Sequence, residues 1–152
     1  MAQTIALIGL VVLLTCAQGV CQEPAESYDV TSRGVIASAA EQTYQHAIDS
    51  CSAGDVGKVG TAAFAVCVRS QARAQLQTLE RVYTGAVDDL KSKPKLAMQL
   101  RNAHRAWLQF RDANCAFAKA IAPPEVSEEY FSDCLLRSAV DRAAELRSLI
   151  GD

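Results

Sequence analysis

Six cysteines are the residues of this 152-residue chain that could do the most chemistry, because thiols form disulfides, bind zinc and act as nucleophiles. They are Cys16, Cys21, Cys51, Cys67, Cys115 and Cys134. The sequence contains no C-x-x-C pair, and its two histidines, His46 and His104, are far apart. A zinc site needs close pairs of such ligands, so we expect no metal and no other cofactor.

The remaining polar residues are not spaced like an active site. No nucleophile motif is present, and neighbouring carboxylates occur only at the starts of helical patterns that look exposed. General acid–base or covalent catalysis would need a base within reach of a reacting group. We therefore predict a protein that is not an enzyme.

The N-terminal residues indicate export. Residues 1–19 carry no charge, and their apolar run over residues 5–14 is too short to cross a bilayer. We predict a cleaved signal peptide at 1–19, a flexible leader at 20–31 and no transmembrane span after cleavage. The predicted location is the periplasm or the exterior. Lipoprotein anchoring at Cys16 or Cys21 is the less favoured alternative, because the residues before each are poor for lipidation.

An exported chain meets an oxidising compartment, where cysteines are read first as disulfides. Cys51 and Cys67 flank a glycine-containing linker, whereas Cys115 and Cys134 flank a turn at Pro123-Pro124. Helical hairpins at both places would bring each pair level. We predict the bridges Cys51–Cys67 and Cys115–Cys134 in a structural role, each contributing roughly 3 kcal/mol. A redox role is the less favoured reading.

Hydrophobic periodicity predicts four helices in one domain. The first runs from about Ser32 to Cys51, and the second begins after Thr61, a suitable N-cap. The third has Pro94 in its first turn, and the fourth extends from Glu125 to Leu149. The predicted fold is an all-α, four-helix antiparallel bundle stapled by two disulfides, over residues 32–152.

The third helix holds the only tryptophan of the chain and a long apolar stripe. Apolar and small residues recur there at alternating spacings of three and four, which predicts the core face of the helix. The stripe consists of Leu96, Leu100, Ala103, Trp107, Phe110, Asn114, Phe117 and Ile121. Cys115 lies one position away from it.

Two arginines fall on or beside predicted core stripes. Arg111 lies on the third helix and Arg142 on the fourth, and a buried charge needs a partner. Asp112, Glu145 and Tyr83 are the nearest candidates. We favour a hydrogen-bonded framework that fixes the register of the helices. The alternative is a carboxylate-binding site built on the guanidinium forks.

Charge is divided into three blocks along the chain. The net charge is −5 over residues 23–55, +7 over 58–111 and −4 over 112–152, which sums to −2. The basic block contains aromatic residues, a combination that can indicate nucleic-acid binding. Because export removes most nucleic acid and no nucleic-acid motif is present, we expect no such partner and interpret the block as solvated helix faces.

A set of these residues resembles a known family. The set is Cys51, Cys67, Leu79, Tyr83, Leu100, Ala106-Trp107, Phe110-Arg111-Asp112, Cys115, Cys134, Arg142 and Glu145-Leu146. Over about residues 48–150 it resembles the LprI-type lysozyme-inhibitor family, with a fairly specific W-x-x-aromatic-R-D-x-x-C core. The resemblance implies a small exported helical domain with structural disulfides, and some members inhibit lysozyme. It also implies a motif framework of Tyr83, Trp107, Arg111, Asp112, Arg142 and Glu145.

The expected function is therefore binding of lysozyme, with a structural or envelope-associated module without lysozyme affinity as the alternative. The candidate contact is the acidic turn and helix start that contains Glu125, Glu128, Glu129, Tyr130, Phe131 and Asp133. Lysozymes are commonly basic, so negative charge would speed association and an aromatic anchor would supply affinity. Alternatively, these acids only complement the helix dipole.

Overall fold

Four α-helices form the part of the chain that the computed structural model describes, residues 30–53 and 61–150. They are α1 (Val30–Ser52), α2 (Ala62–Asp89), α3 (Pro94–Ile121) and α4 (Ser127–Ile150), with a short 3-10 helix, Pro124–Val126, before α4. These two ranges contain no strand, so the predicted all-α class is confirmed. No helix within them is both long and apolar enough to span a membrane.

Several predicted segments fall outside the described residues. These are the signal peptide at 1–19, most of the leader at 20–31 and the linker at 54–60. Helix α1 already begins at Val30, slightly before the predicted start at Ser32. Helix α4 begins at Ser127 rather than Glu125, because the residues after the two prolines first form the 3-10 turn.

Local sequence signals explain where the helices begin and end. The Thr61 side chain accepts a hydrogen bond from the backbone N–H of Phe64 at 3.2 Å, which caps α2 as predicted. Pro94 is the first residue of α3, where its missing N–H costs nothing. At the other end of α3, Ala122 is extended, with ψ of 152°, because a following proline disfavours helical geometry. The chain must therefore turn at this point.

Both predicted disulfides are confirmed. Cys51 and Cys67 have Cα atoms 5.6 Å apart and join α1 to α2. Cys115 and Cys134 have Cα atoms 5.4 Å apart and join α3 to α4. Each bridge closes a short hairpin, so each removes conformations mainly from the unfolded chain, worth about 3 kcal/mol.

Helix α4 is the central element of the core. Its Leu136 and Val140 meet α1 and α2 in one buried cluster that also contains Val68. Its Leu146 belongs to a second cluster, against Leu79 of α2 and the partly buried Trp107 of α3. Helix α3 packs mainly against α4. The last turn of α4 leaves this core, so Leu149 is 67% exposed.

The predicted core face of α3 is wrong for six of its eight residues, which are exposed. Phe110 and Phe117 are each 63% exposed, Ile121 is 65% exposed and Leu96 is 47% exposed. Ala103 and Asn114 are exposed as well, whereas Leu100 and Trp107 are half-buried. The buried residues of α3 are instead Ala97, His104 and Cys115. The disulfide to α4 turns the Cys115 side of the helix inward, which rotates the apolar stripe toward solvent.

Candidate functional site

Three helices bring aromatic rings and arginines together beside the second core cluster. Tyr83 of α2 stacks on His104 of α3, with ring centroids 3.9 Å apart and an interplanar angle of 12°. Trp107, one turn further along α3, lies 5.7 Å from His104 between centroids. The three rings form a continuous column between α2 and α3. We call this set, with Arg111 and Arg142, the aromatic–arginine cluster.

The two arginines cover the end of this column. The guanidinium carbons of Arg111 and Arg142 lie 5.3 Å and 5.9 Å from the Trp107 ring centroid, within range of cation–π attraction. Arg111 donates to Oδ1 of Asp112 from Nε at 2.9 Å and from Nη2 at 2.5 Å. Arg142 donates from Nη1 to Oε2 of Glu145 at 2.6 Å. The guanidiniums therefore each have a carboxylate partner within their own helix.

Burial differs sharply between the partners in these pairs. The Arg142 side chain is 9% exposed, whereas that of Glu145 is 54% exposed. The Arg111 side chain is 16% exposed and that of Asp112 is 65% exposed. Water screens the carboxylate ends, so these pairs contribute less than fully buried ones. Nε of Arg142 is buried without a hydrogen-bond partner among the described residues.

His104 is the member of the cluster that the sequence interpretation did not assign. It is only 5% exposed, and its Nδ1 has no hydrogen-bond partner within residues 30–53 and 61–150. Burial, followed by the positive charges of Arg142 and Arg111, lowers the pKa of His104 below its ordinary value. The position of His104 could have been predicted from its spacing. It lies three residues before Trp107 and seven before Arg111, and residues at these spacings share one face of a helix.

The predicted contact lies at the opposite end of α3, around the start of α4. Glu125 is exposed in the 3-10 turn, and Tyr130 is 48% exposed. Phe131 is half-buried, with Nζ of Lys119 5.7 Å from its ring centroid. Of the two aromatics, Tyr130 is thus the one that faces solvent more openly. Glu129 is partly buried.

Basic side chains from other helices neutralise part of the negative charge of this predicted contact surface. Glu128 forms ion pairs with Lys119 of α3 and with Arg69 of α2, the latter at 3.7 Å. The hydrogen bond and positive charge of Lys119 lower the pKa of the Glu128 carboxyl. Asp133 accepts a hydrogen bond from the Tyr44 hydroxyl at 2.5 Å. Burial and this carboxylate raise the pKa of Tyr44 to about 12.

No group of three or more His, Cys, Asp or Glu side chains in the described residues could hold a metal ion. The four cysteines of the described helices are all consumed in disulfides. The surface at the start of α4 offers an exposed phenol and carboxylates, which are groups that recognise a protein partner.

Comparison with known families matches residues 51–146 to the family described as lysozyme inhibitor LprI. The chain belongs to this family. The match begins at Cys51 and ends at Leu146, so it spans both disulfides, the aromatic–arginine cluster and the start of α4. No curated protein and no solved structure gives a significant match.

Proposed function

We propose that this LprI-family protein is exported and inhibits lysozyme by binding it. The observation that carries the proposal is the family match over residues 51–146, which contain both disulfides. Disulfides persist in oxidising compartments outside the cytoplasm, which is also where lysozyme acts on cell walls. Processing after residue 19 would leave a mature chain that begins at Val20.

The disulfides also suit an inhibitor because they keep its surface rigid before binding. The Cys115–Cys134 bridge fixes the α3–α4 hairpin just beside the acidic turn. A surface that is already ordered loses little conformational entropy on binding. The two bridges therefore support a preformed contact rather than one that folds around its target.

The surface that we propose for lysozyme is the start of α4 with the preceding turn. Tyr130 is exposed and amphipathic, so it can act as the anchor. Glu125 and Glu128 supply negative charge toward a basic enzyme, which raises the association rate more than the affinity. The ion pairs of Glu128 with Lys119 and Arg69 reduce that charge, so the expected electrostatic contribution is modest.

Lysozyme turnover tests the function directly. The oxidised mature chain, added in increasing amounts to a fixed concentration of a basic lysozyme, should reduce cell-wall hydrolysis to a saturating minimum. A structural or envelope-associated module without lysozyme affinity predicts unchanged turnover at every concentration. That second result would remove the proposed function.

A matched pair of charge reversals tests the surface. Glu128 and Glu41 are similarly exposed, at 52% and 48%, and each is paired with a basic residue of another helix. Glu128→Lys should slow association with lysozyme several-fold at low salt and lose this effect at high salt. Glu41→Lys, on α1, should leave the rate unchanged. Equal rates for both variants and the parent would exclude this surface.

A further inference from the structure

The solvent-facing side of α3 carries an apolar seam that is not used in the core of the described chain. We call it the outer seam, and its positions alternate in steps of three and four. They are Leu96, Gln99, Ala103, Ala106, Phe110, Ala113, Phe117 and Ala120. All four alanines are exposed, and the two phenylalanines are each 63% exposed. This is the heptad pattern of a helix that pairs with another helix.

The outer seam is distinct from the side of α3 that faces the protein. Successive residues of an α-helix are rotated by about 100°, which separates the seam by nearly half a turn from the buried Ala97, His104 and Cys115. The helices that pack against the buried side of α3 therefore cannot also cover the seam. Contiguous exposed apolar surface of this kind marks an interaction site.

Except for Lys95, the charged residues of α3 avoid the seam and its flanks. Five of the charged side chains of α3, those of Arg101, Arg105, Arg111, Asp112 and Lys119, lie at other helical positions. The charged residue next to the seam is Lys95, near the N-terminal end. The flanking positions are otherwise filled by amides and apolar side chains. A helix from a partner could therefore lie along α3 without burying a charge.

We propose that the outer seam pairs with the same seam of a second copy of this chain, with the two α3 helices antiparallel. One register matches large residues with small ones. In it Phe110 lies opposite the second copy's Ala113. Phe117 then lies opposite the second copy's Ala106. Such alternation of large and small residues lets facing helices interdigitate. This inference does not depend on lysozyme binding.

Charge favours the antiparallel direction. Lys91, Lys93 and Lys95 surround the start of α3, and Glu125 follows its end. Antiparallel pairing sets the basic end of one copy toward the acidic turn of the other and opposes the two helix dipoles. Parallel pairing would bring the lysines of both copies together. A symmetric contact of this type closes on itself and stops at a dimer.

The size of the seam indicates a weak dimer. Helix α3 has 28 residues and is therefore about 42 Å long, and a helix is about 10 Å wide. In the proposed register residues 102–121 of the two helices overlap over about 30 Å, so the two faces together project over roughly 600 Å², which is in the range of weak, transient contacts. We therefore expect dissociation in the micromolar range and a monomer at nanomolar concentrations.

Sedimentation velocity of the oxidised mature chain tests this proposal. The parent should convert from monomer to dimer as its concentration rises through the micromolar range. The double variant Phe110→Glu, Phe117→Glu should stay monomeric at every concentration. Met98→Glu is the matched control, because Met98 is 55% exposed on another side of the same helix. This control should dimerise like the parent. All three proteins should have the same far-ultraviolet circular dichroism.

Mixing two single variants tests the register. Phe110→Lys and Ala113→Glu should each be monomeric, since each homodimer would bury two like charges. Their mixture should form a heterodimer, because in the proposed register the new lysine faces the new glutamate. Phe110→Lys mixed with Ala106→Glu should remain monomeric. A heterodimer in this second mixture alone would overturn the register that we propose.

Other occupants of the seam give different results. A parent that remains monomeric at all concentrations overturns the proposal, as does a dimer that the double variant retains. If lysozyme occupies the seam, the double variant should lose inhibition while the parent stays monomeric. If the proposal holds, the double variant should be a monomer that still inhibits lysozyme. This readout separates failure of the dimer from failure of the proposed function.

Discussion

The two faces of α3 are oriented in the opposite way from what their side chains suggest. The more polar face lies toward the protein, and the more apolar face lies toward solvent. The face toward the protein includes His104, Arg111 and Cys115, whereas the face toward solvent includes Phe110 and Phe117. The inner face is held by the disulfide to α4 and by the stacking of His104 on Tyr83 of α2. The outer face offers apolar area without such partners. Specific contacts can thus override apolar content in orienting a helix.

The largest expected effect comes from removing the centre of the inner face. Trp107→Ala should lower the free energy of unfolding by about 3 kcal/mol, because it deletes a half-buried ring of the second core cluster. The change also leaves Arg142 without the indole beneath it. Urea unfolding of the oxidised protein measures the loss. A value under about 1 kcal/mol would mean that the indole does not hold α3 in place.

Substitution of the two partners of the Arg142–Glu145 ion pair should lower the free energy of unfolding by different amounts. Glu145→Ala should cost about 2 kcal/mol, because it leaves the 9% exposed Arg142 side chain without its carboxylate. Arg142→Met, which keeps most of the buried volume, should cost less, about 1 kcal/mol, because the carboxylate left behind is 54% exposed and solvated. Both values follow from urea unfolding at neutral pH. The reverse order would contradict the burial difference.

His104 predicts a pH dependence of stability. Because its pKa is lower in the folded than in the unfolded state, the unfolded chain binds a proton first as pH falls below about 6.5. The free energy of unfolding should therefore fall with decreasing pH, by no more than about 1.4 kcal/mol per pH unit for this one group. His104→Gln should flatten the profile between pH 6.5 and the lowered pKa. Parallel profiles for parent and variant would contradict a buried neutral imidazole.

The smallest effect is expected on the outer face. Phe110→Ala should change the stability of the monomer by less than about 0.5 kcal/mol, because the ring is 63% exposed. The measurement is urea unfolding at nanomolar protein, where we expect no dimer. A loss comparable with that of Trp107→Ala would place Phe110 in the core.

Local signals made most of the fold predictable. Thr61, Pro94 and the Pro123-Pro124 pair act on their own backbone neighbours, so the helix limits near them follow from the sequence. The cysteine pairs flank turns, so their bridges also followed from spacing.

The rotation of α3 could not be read from periodicity alone. Both of its faces repeat at helical spacing, and periodicity identifies a stripe without naming what covers it. Cys115 was the stronger guide, since a disulfide forces its side of the helix toward α4. The ion pairs of Glu128 with Lys119 and Arg69 depend on how three helices pack together. The spacing of residues within one helix does not reveal such contacts.

Hydroxyl-radical footprinting of the aromatic rings of α3 tests the orientation of this helix most directly. In the oxidised chain at nanomolar concentration, Phe110 and Phe117 should be modified nearly as fast as in the unfolded chain. Trp107 should be protected relative to its own unfolded rate, although indoles are intrinsically the more reactive rings. Protected phenylalanines together with a fully reactive Trp107 would show that the apolar stripe faces the core and that the orientation described for α3 is wrong.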